Sequence, residues 1–163
     1  MEEKNRTPLD NLNRLDVLLD EYEGKNGLPQ YVEKNNDDNI KKYLSISREQ
    51  MEAMSIEDCA NAALILGGFS FYLQRTVNRE SARMTWAENM LKKIIAGKEN
   101  NFRGSWDSQF QQAVNNDDYA KQLLKLKQYA QSRMDRLNYL SNSIRNMSDL
   151  FVNLQKAKAM KGV

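Results

Sequence analysis

The side chains with the most evident binding chemistry lie in one stretch of the chain, between Phe71 and Trp86. Helical spacing of three or four residues puts two aromatic and three basic side chains on one face, the aromatic–arginine stripe: Tyr72, Arg75, Arg79, Arg83 and Trp86. The three arginines repel one another by roughly 0.2–0.5 kcal/mol per pair. A phosphate backbone would offset this repulsion, and the rings can stack on bases. Alternatively, a neighbouring helix supplies acidic partners, or solvent covers the stripe.

Further basic residues extend the predicted nucleic-acid surface towards a glycine-bounded loop. They are Lys92, Lys93, Lys98 and Arg103. The loop also contains Phe102 and Trp106, whose rings either pack inward or stack on bases. The sequence has no helix-turn-helix, zinc-finger or RNP-type motif, so it does not predict sequence-specific reading of a duplex. The prediction is non-specific binding of single-stranded DNA.

Catalytic chemistry is poorly represented in the sequence. The chain has no histidine and one cysteine, Cys59, which removes the commonest general base and the usual structural zinc sites. No phosphate-binding glycine loop of the P-loop type occurs. The pair Asp117 and Asp118 has the context of a helix cap, and Cys59 is either a buried small hydrophobe or a first-turn thiol of lowered pKa. We therefore expect neither an enzyme nor a cofactor or metal site.

The charge distribution is uneven along the 163 residues, of which 40% are hydrophobic and 28% charged. Residues 1–40 contain five basic and ten acidic residues, net −5, whereas residues 101–163 contain ten and five, net +5. An acidic arm that precedes a basic body often marks a protein that contacts a polyanion. No apolar run approaches the ~18 residues of a membrane span, and the single cysteine fits a reducing compartment, so we expect a cytoplasmic protein (the host cytoplasm if viral).

Helix-start signals divide the chain into short and long helices. Thr7-Pro8 predicts a first helix that stops near Gly24, and residues 25–45 form a linker with one helical turn near residues 39–44. Capping patterns begin at Ser47 and at Ser55, and from Ser55 no proline interrupts a helix to about residue 96. Gly67-Gly68 predicts either a kink in this helix or the close approach of another.

A last long helix, from about residue 118 to 158, has apolar residues at alternating spacings of four and three, which is coiled-coil periodicity. The predicted fold is all-α, with two long antiparallel helices of coiled-coil character and short N-terminal helices. We divide it into an acidic arm, residues 1–45, and a helical domain, residues 46–163. The seam either closes a hairpin within the chain or joins subunits of a homo-oligomer. The predicted oligomerisation residues are Leu123, Leu126, Leu137, Leu140, Ile144, Met147, Phe151 and Leu154.

The layout of residues 45–160 resembles that of the UvsY-type recombination mediators of T-even-type phages. The matching pieces are an Ala-rich segment from Cys59 to Ala63, the aromatic segment from Phe69 to Gln74, the basic run from Arg75 to Arg83, and the long helix from Tyr119 to Lys158. This resemblance implies a ring-like homo-oligomer that binds single-stranded DNA, engages the single-strand-binding protein and helps load a RecA-like recombinase. The alternative is a coiled-coil scaffold or adaptor that acts through protein contacts.

Overall fold

The structure is a computed structural model that describes residues 6–28, 37–97 and 103–162. Within these ranges it contains six α-helices and no strand. The helices are α1 (Pro8–Lys25), α2 (Asp37–Leu44), α3 (Arg48–Ala53), α4 (Ile56–Ala96), α5 (Trp106–Asn116) and α6 (Asp118–Lys161). The prediction of an all-α fold with two long helices is confirmed. Among the described helices, none is long and apolar enough to cross a membrane.

Side-chain caps start the helices where the sequence predicts them. The Thr7 hydroxyl accepts a hydrogen bond from the Asp10 amide, and the Asp10 carboxylate accepts one from the Thr7 amide. Ser47 and Gln50 form the same reciprocal capping box at α3. Ser55 and Asp58 form it at α4. Each box satisfies two backbone donors that the first turn of a helix would otherwise leave unpaired.

The pair Gly67-Gly68 does not interrupt α4, which is a single helix of 41 residues. A Cβ atom added at Gly67 would lie 3.4 Å from the Ser148 hydroxyl oxygen of α6. The same hydroxyl donates a 2.8 Å hydrogen bond to the carbonyl of Ala63, one turn earlier on α4. Of the two alternatives that the sequence leaves open, the close approach of another helix is therefore the one found at Gly67.

The chain forms two compact units, and both long helices contribute to each of them. The α1 unit combines α1 with Val77–Asp135, which includes α5. The α2 unit combines α2, α3 and the first half of α4 with the part of α6 from Arg136 onwards. This division differs from the predicted boundary after residue 45, because α1 and α2 belong to different units and each packs onto long helices.

Each unit has its own apolar core. In the α1 unit the buried residues are Ala87, Leu91, Ala120 and Leu123. In the α2 unit they are Ile40, Tyr43, Ala62, Ala63, Leu66, Leu73, Ile144 and Phe151. The Tyr43 and Phe151 rings meet edge to face with centroids 5.9 Å apart, so the short helix α2 covers the end of α6.

The predicted oligomerisation seam on α6 is largely occupied within the chain. Leu123 is buried in the core of the α1 unit, and Ile144 and Phe151 are buried in that of the α2 unit. Partly buried side chains of Leu137 and Met147 pack against the second core. Leu126 and Leu154 are half-buried, and Leu140 is 42% exposed. Five of the eight residues therefore have apolar contacts within the chain, as the hairpin alternative predicts.

Candidate nucleic-acid interface

The aromatic members of the predicted stripe pack inward. Tyr72 stacks on Phe69, with ring centroids 6.0 Å apart, and contacts the core of the α2 unit. Trp86 packs against the core of the α1 unit. Arg75, in the α2 unit, is half-buried and engaged in an interaction of its own. The two rings that were predicted to stack on bases at the ends of the stripe therefore have protein neighbours.

Arg79 is held by the acidic face of α1. Its Nη2 atom forms ion pairs with Asp20 and with Glu23, the latter at 3.1 Å, and the Nε–H donates to Glu23 at 3.4 Å. The arginine side chain is 17% exposed. Burial opposes the charged form of Arg79, but the hydrogen bonds to Asp20 and Glu23 outweigh it and raise the pKa of the guanidinium. Arg79 is thus a permanent cation whose partners lie on another helix of its own unit.

Arg83 has an even more complete set of partners. Its Nε and Nη2 atoms donate to the two carboxylate oxygens of Asp16 at 3.0 and 2.6 Å, a bidentate pair. Its Nη1 atom donates to Glu80 at 2.6 Å. The hydrogen bond to Asp16 is the main reason why the pKa of Arg83 is raised. Burial acts in the opposite direction but is the smaller effect. The acidic neighbouring helix, the alternative explanation of the arginine spacing, is therefore present in the α1 unit.

The buried carboxylate of Glu80 joins this cluster to α6. Glu80 is 3% exposed, and its second oxygen lies 2.8 Å from Nη2 of Arg133, an ion pair without the angles of a hydrogen bond. Glu80 lies on the buried side of α4, and Arg133 interrupts the apolar spacing of α6. The two charges compensate each other, because the Glu80 carboxylate pairs with the Arg133 guanidinium. We call Arg79, Arg83, Glu80 and Arg133, together with the α1 carboxylates, the charge cluster.

The remaining predicted cations are divided between paired and open positions. Lys92 forms an ion pair with Glu88 at 2.8 Å, and the hydrogen bond to Lys92 lowers the pKa of Glu88. Lys93 and Arg103 are exposed. Lys98 and Phe102 lie outside the described residues. Trp106, the first residue of α5, is 50% exposed.

Two exposed patches of α6, each with a tyrosine close to a cation, were not predicted from the sequence. In the α1 unit the patch contains Lys125 and, one turn on, Tyr129, which is 61% exposed. In the α2 unit the patch contains Arg136 and, three residues on, Tyr139, which is 79% exposed. We call these two separate patches, one in each unit, the outer face of α6. The available signal was their position outside the apolar seam, where a tyrosine has no core to enter.

Neither cation of the outer face has a carboxylate partner among the described residues. The nearest paired cation on the same side of α6 is Lys121, which binds Asp118 at 3.0 Å in the first turn. Exposed tyrosines and open cations are the combination that binds single-stranded nucleic acid without sequence preference. The outer face therefore offers exposed rings and open cations. In the aromatic–arginine stripe, by contrast, the rings pack inward, and Arg79 and Arg83 are bound by carboxylates of α1.

The described residues offer no alternative site for metal or thiol chemistry. No group of three or more His, Cys, Asp or Glu side chains in the described ranges is arranged to hold a metal ion. The Asp117 carboxylate caps α6 by accepting from the amides of Tyr119 and Ala120 at 2.8 and 3.4 Å. Cys59 is fully buried, and burial raises the pKa of its thiol, so the alternative of a lowered pKa is wrong.

Comparison with protein-family models, with characterised proteins and with solved structures gives no significant match for this chain. The resemblance to UvsY-type mediators therefore stays a prediction from the sequence.

Proposed function

We propose that the protein binds single-stranded DNA through the outer face of α6. The observation that supports this proposal is the exposure of Tyr129 and Tyr139 (61% and 79%), each next to a cation without a carboxylate partner in the described ranges. A base stacked on an aromatic side chain contributes about 1–3 kcal/mol. The neighbouring Lys125 and Arg136 supply the phosphate contacts, which need no particular base sequence.

The resemblance to UvsY-type mediators extends this proposal to a biological role. In that role a homo-oligomer holds single-stranded DNA, contacts the single-strand-binding protein and helps load a RecA-like recombinase. It requires no nucleotide hydrolysis, which agrees with a chain that has neither a P-loop motif nor a histidine. The charge cluster lies outside the proposed surface, because Arg79 and Arg83 are engaged by α1.

The proposal is tested by fluorescence anisotropy of a labelled single-stranded oligonucleotide at about 50 and about 200 mM salt. The wild-type protein is expected to bind, and the logarithm of its affinity is expected to fall with the logarithm of salt concentration. Tyr129→Ala should weaken binding about five- to 160-fold, the equivalent of one lost stack. Arg136→Glu should weaken binding and also reduce the salt slope by about 0.7, the value for one single-strand phosphate contact.

Two matched variants control for general effects of the substitutions. Tyr22→Ala removes a tyrosine of the same unit and the same 61% exposure, but on α1. Lys156→Glu makes the same charge reversal as Arg136→Glu at another exposed position of α6. Neither control variant should weaken binding by more than about twofold. Lys156→Glu changes the net charge as much as Arg136→Glu does, so it shows how much of the loss comes from net charge alone. Absence of wild-type binding at low salt, or equal losses in the control variants, contradicts the proposal.

A second candidate function is that of an adaptor that acts through protein contacts. The observation that favours it is the exposure of Leu64 and Phe71 (75% and 76%) on α4, since large apolar side chains exposed together mark interaction surfaces. In this case the labelled oligonucleotide keeps the anisotropy of its free state when the protein is added, and replacement of Leu64 or Phe71 by a charged residue abolishes association with the partner protein.

A further inference from the structure

Helix α1 turns carboxylates towards the protein and much of its apolar surface towards solvent. The side chains of Asp16 and Glu23 are only 21% and 14% exposed, because they bind arginines of α4. Four large apolar side chains of the same helix are 55–61% exposed: Leu9, Val17, Leu18 and Tyr22. A helix that docks through the hydrophobic effect has the opposite arrangement, with its apolar stripe inward. Charge pairing is therefore a main contributor to the docking of α1.

The core of the α1 unit is formed without α1. The buried residues of this core, and the partly buried side chains packed against them, all belong to α4, α5 and α6. The buried residues of α1, Pro8 and Leu12, are not among them. Helix α1 can therefore open without disrupting that core, as segments at the low-stability end of a fold do.

The carboxylates of α1 occupy the positions in which phosphates would bind two arginines of α4. Asp16 presents both oxygens to Arg83, and the planar fork of an arginine binds phosphate in the same bidentate way. Among the described residues, the carboxylates that pair with Arg79 are Asp20 and Glu23, both on α1. The two arginines are four residues apart, about 6 Å along the helix. Displacement of α1 thus opens two neighbouring cations to the phosphates of one strand.

A row of contacts joins these arginines to the outer-face patch of the same unit. Lys125, Tyr129 and Arg133 follow one another on α6 at steps of about one helical turn. Arg133 pairs with one oxygen of Glu80 at 2.8 Å, and the other oxygen accepts from Arg83 at 2.6 Å. The arginines covered by α1 therefore continue the patch that contains Tyr129.

We propose that Arg79 and Arg83 are a second, covered site for the phosphates of single-stranded DNA, and that α1 is its built-in competitor. The inference rests on the proposed function, because it extends the same DNA site and explains how its affinity is adjusted. With α1 closed, DNA contacts the outer face of α6 alone. When phosphates displace the α1 carboxylates, the strand gains two arginine contacts. Since the apparent affinity of such a site is reduced by the fraction of open molecules, any change that opens α1 strengthens DNA binding.

The test is fluorescence anisotropy of the labelled oligonucleotide with the full chain, with and without charge on the inner side of α1. The triple variant combines Asp16→Asn, Asp20→Asn and Glu23→Gln. At about 50 mM salt it should bind at least tenfold more tightly than wild type, since loss of one such charged pair already favours opening about 30-fold. Its salt slope should be steeper by about 1.4, the value for two further single-strand phosphate contacts. Circular dichroism checks that the variant is folded.

Two further variants separate this effect from net charge. The matched control neutralises three exposed carboxylates instead, through Glu21→Gln, Glu57→Gln and Asp149→Asn. It should raise the affinity less than about threefold and leave the slope unchanged, because salt screens exposed charges. Addition of Arg79→Gln to the triple variant should reduce the slope again by about 0.7, since one of the two new contacts is lost.

Hydrogen exchange of the wild-type protein reports displacement directly. Saturating oligonucleotide should accelerate exchange of the α1 amides but not of the α6 amides. Equal affinity and slope in the triple variant and wild type, an equal gain in the control variant, or α1 amides that bound DNA does not accelerate overturns the inference. Failure of the proposed function has a different signature, because Tyr129→Ala then binds as wild type does, whatever the triple variant does.

Discussion

Helix α1 is held in its unit mainly by polar contacts. Few apolar contacts hold this helix, because Pro8 and Leu12 are its buried residues. Polar contacts supply the rest: Asn11 donates to the Tyr119 hydroxyl at 3.1 Å, and the acidic side chains bind Arg79 and Arg83. A helix held in this way should open locally at a lower free energy than the cores of the two units.

The perturbation is Asp16→Asn, which removes the charge from the bidentate partner of Arg83. A hydrogen bond to a charged group contributes about 1.5–3 kcal/mol. The two side chains are 21% and 24% exposed, so solvent screens part of the interaction, and Glu80 still neutralises Arg83. We therefore expect a loss of about 2 kcal/mol, which is about a 30-fold increase in the opening constant of α1.

The assay is native-state hydrogen exchange of the α1 amides, followed by mass spectrometry at low ionic strength. Exchange within α1 should be about 30-fold faster in Asp16→Asn than in wild type, whereas the amides of α6 should be unchanged. Added salt should narrow the difference, because it screens partly exposed charges. Glu21→Gln, an exposed carboxylate of the same helix, is the matched control. Equal exchange in Asp16→Asn and wild type, or equal acceleration in Glu21→Gln, would refute the reasoning.

Three further predictions concern buried and capping groups. Glu80→Gln leaves Arg83 and Arg133 without their buried carboxylate, so a loss of about 2 kcal/mol should lower the Tm by about 4–8 °C in a thermal scan; an unchanged Tm would contradict this. The hydrogen bonds to Thr7 lower the pKa of Asp10, so its capping contribution is complete above the unfolded value near 4 and is lost as pH falls through the lower folded value. Circular dichroism should therefore show helix loss on acidification that Asp10→Asn makes less dependent on pH. The raised pKa of Cys59 should leave its thiol unreactive to a disulfide reagent at neutral pH until denaturant is added; rapid native labelling would disprove this.

Local signals in the sequence predicted the helices well. The caps at Thr7, Ser47 and Ser55 join residues three positions apart, so their geometry is nearly independent of the rest of the chain. The apolar period of α6 also identified its buried face, because helical spacing alone determines which side chains share a side.

Contacts between distant segments account for what the sequence did not predict. The partners of Arg79 and Arg83 lie 56–67 residues away on α1, and the spacing of the arginines is equally compatible with phosphates or carboxylates. The exposure of Tyr129 and Tyr139 likewise depends on which sides of α6 the other helices cover. The sequence by itself thus determined where helices start and which faces are apolar, since these depend on neighbours within a few residues. Only the tertiary structure decided which charges are neutralised and which rings stay in solvent, because both depend on the packing of segments far apart in the chain.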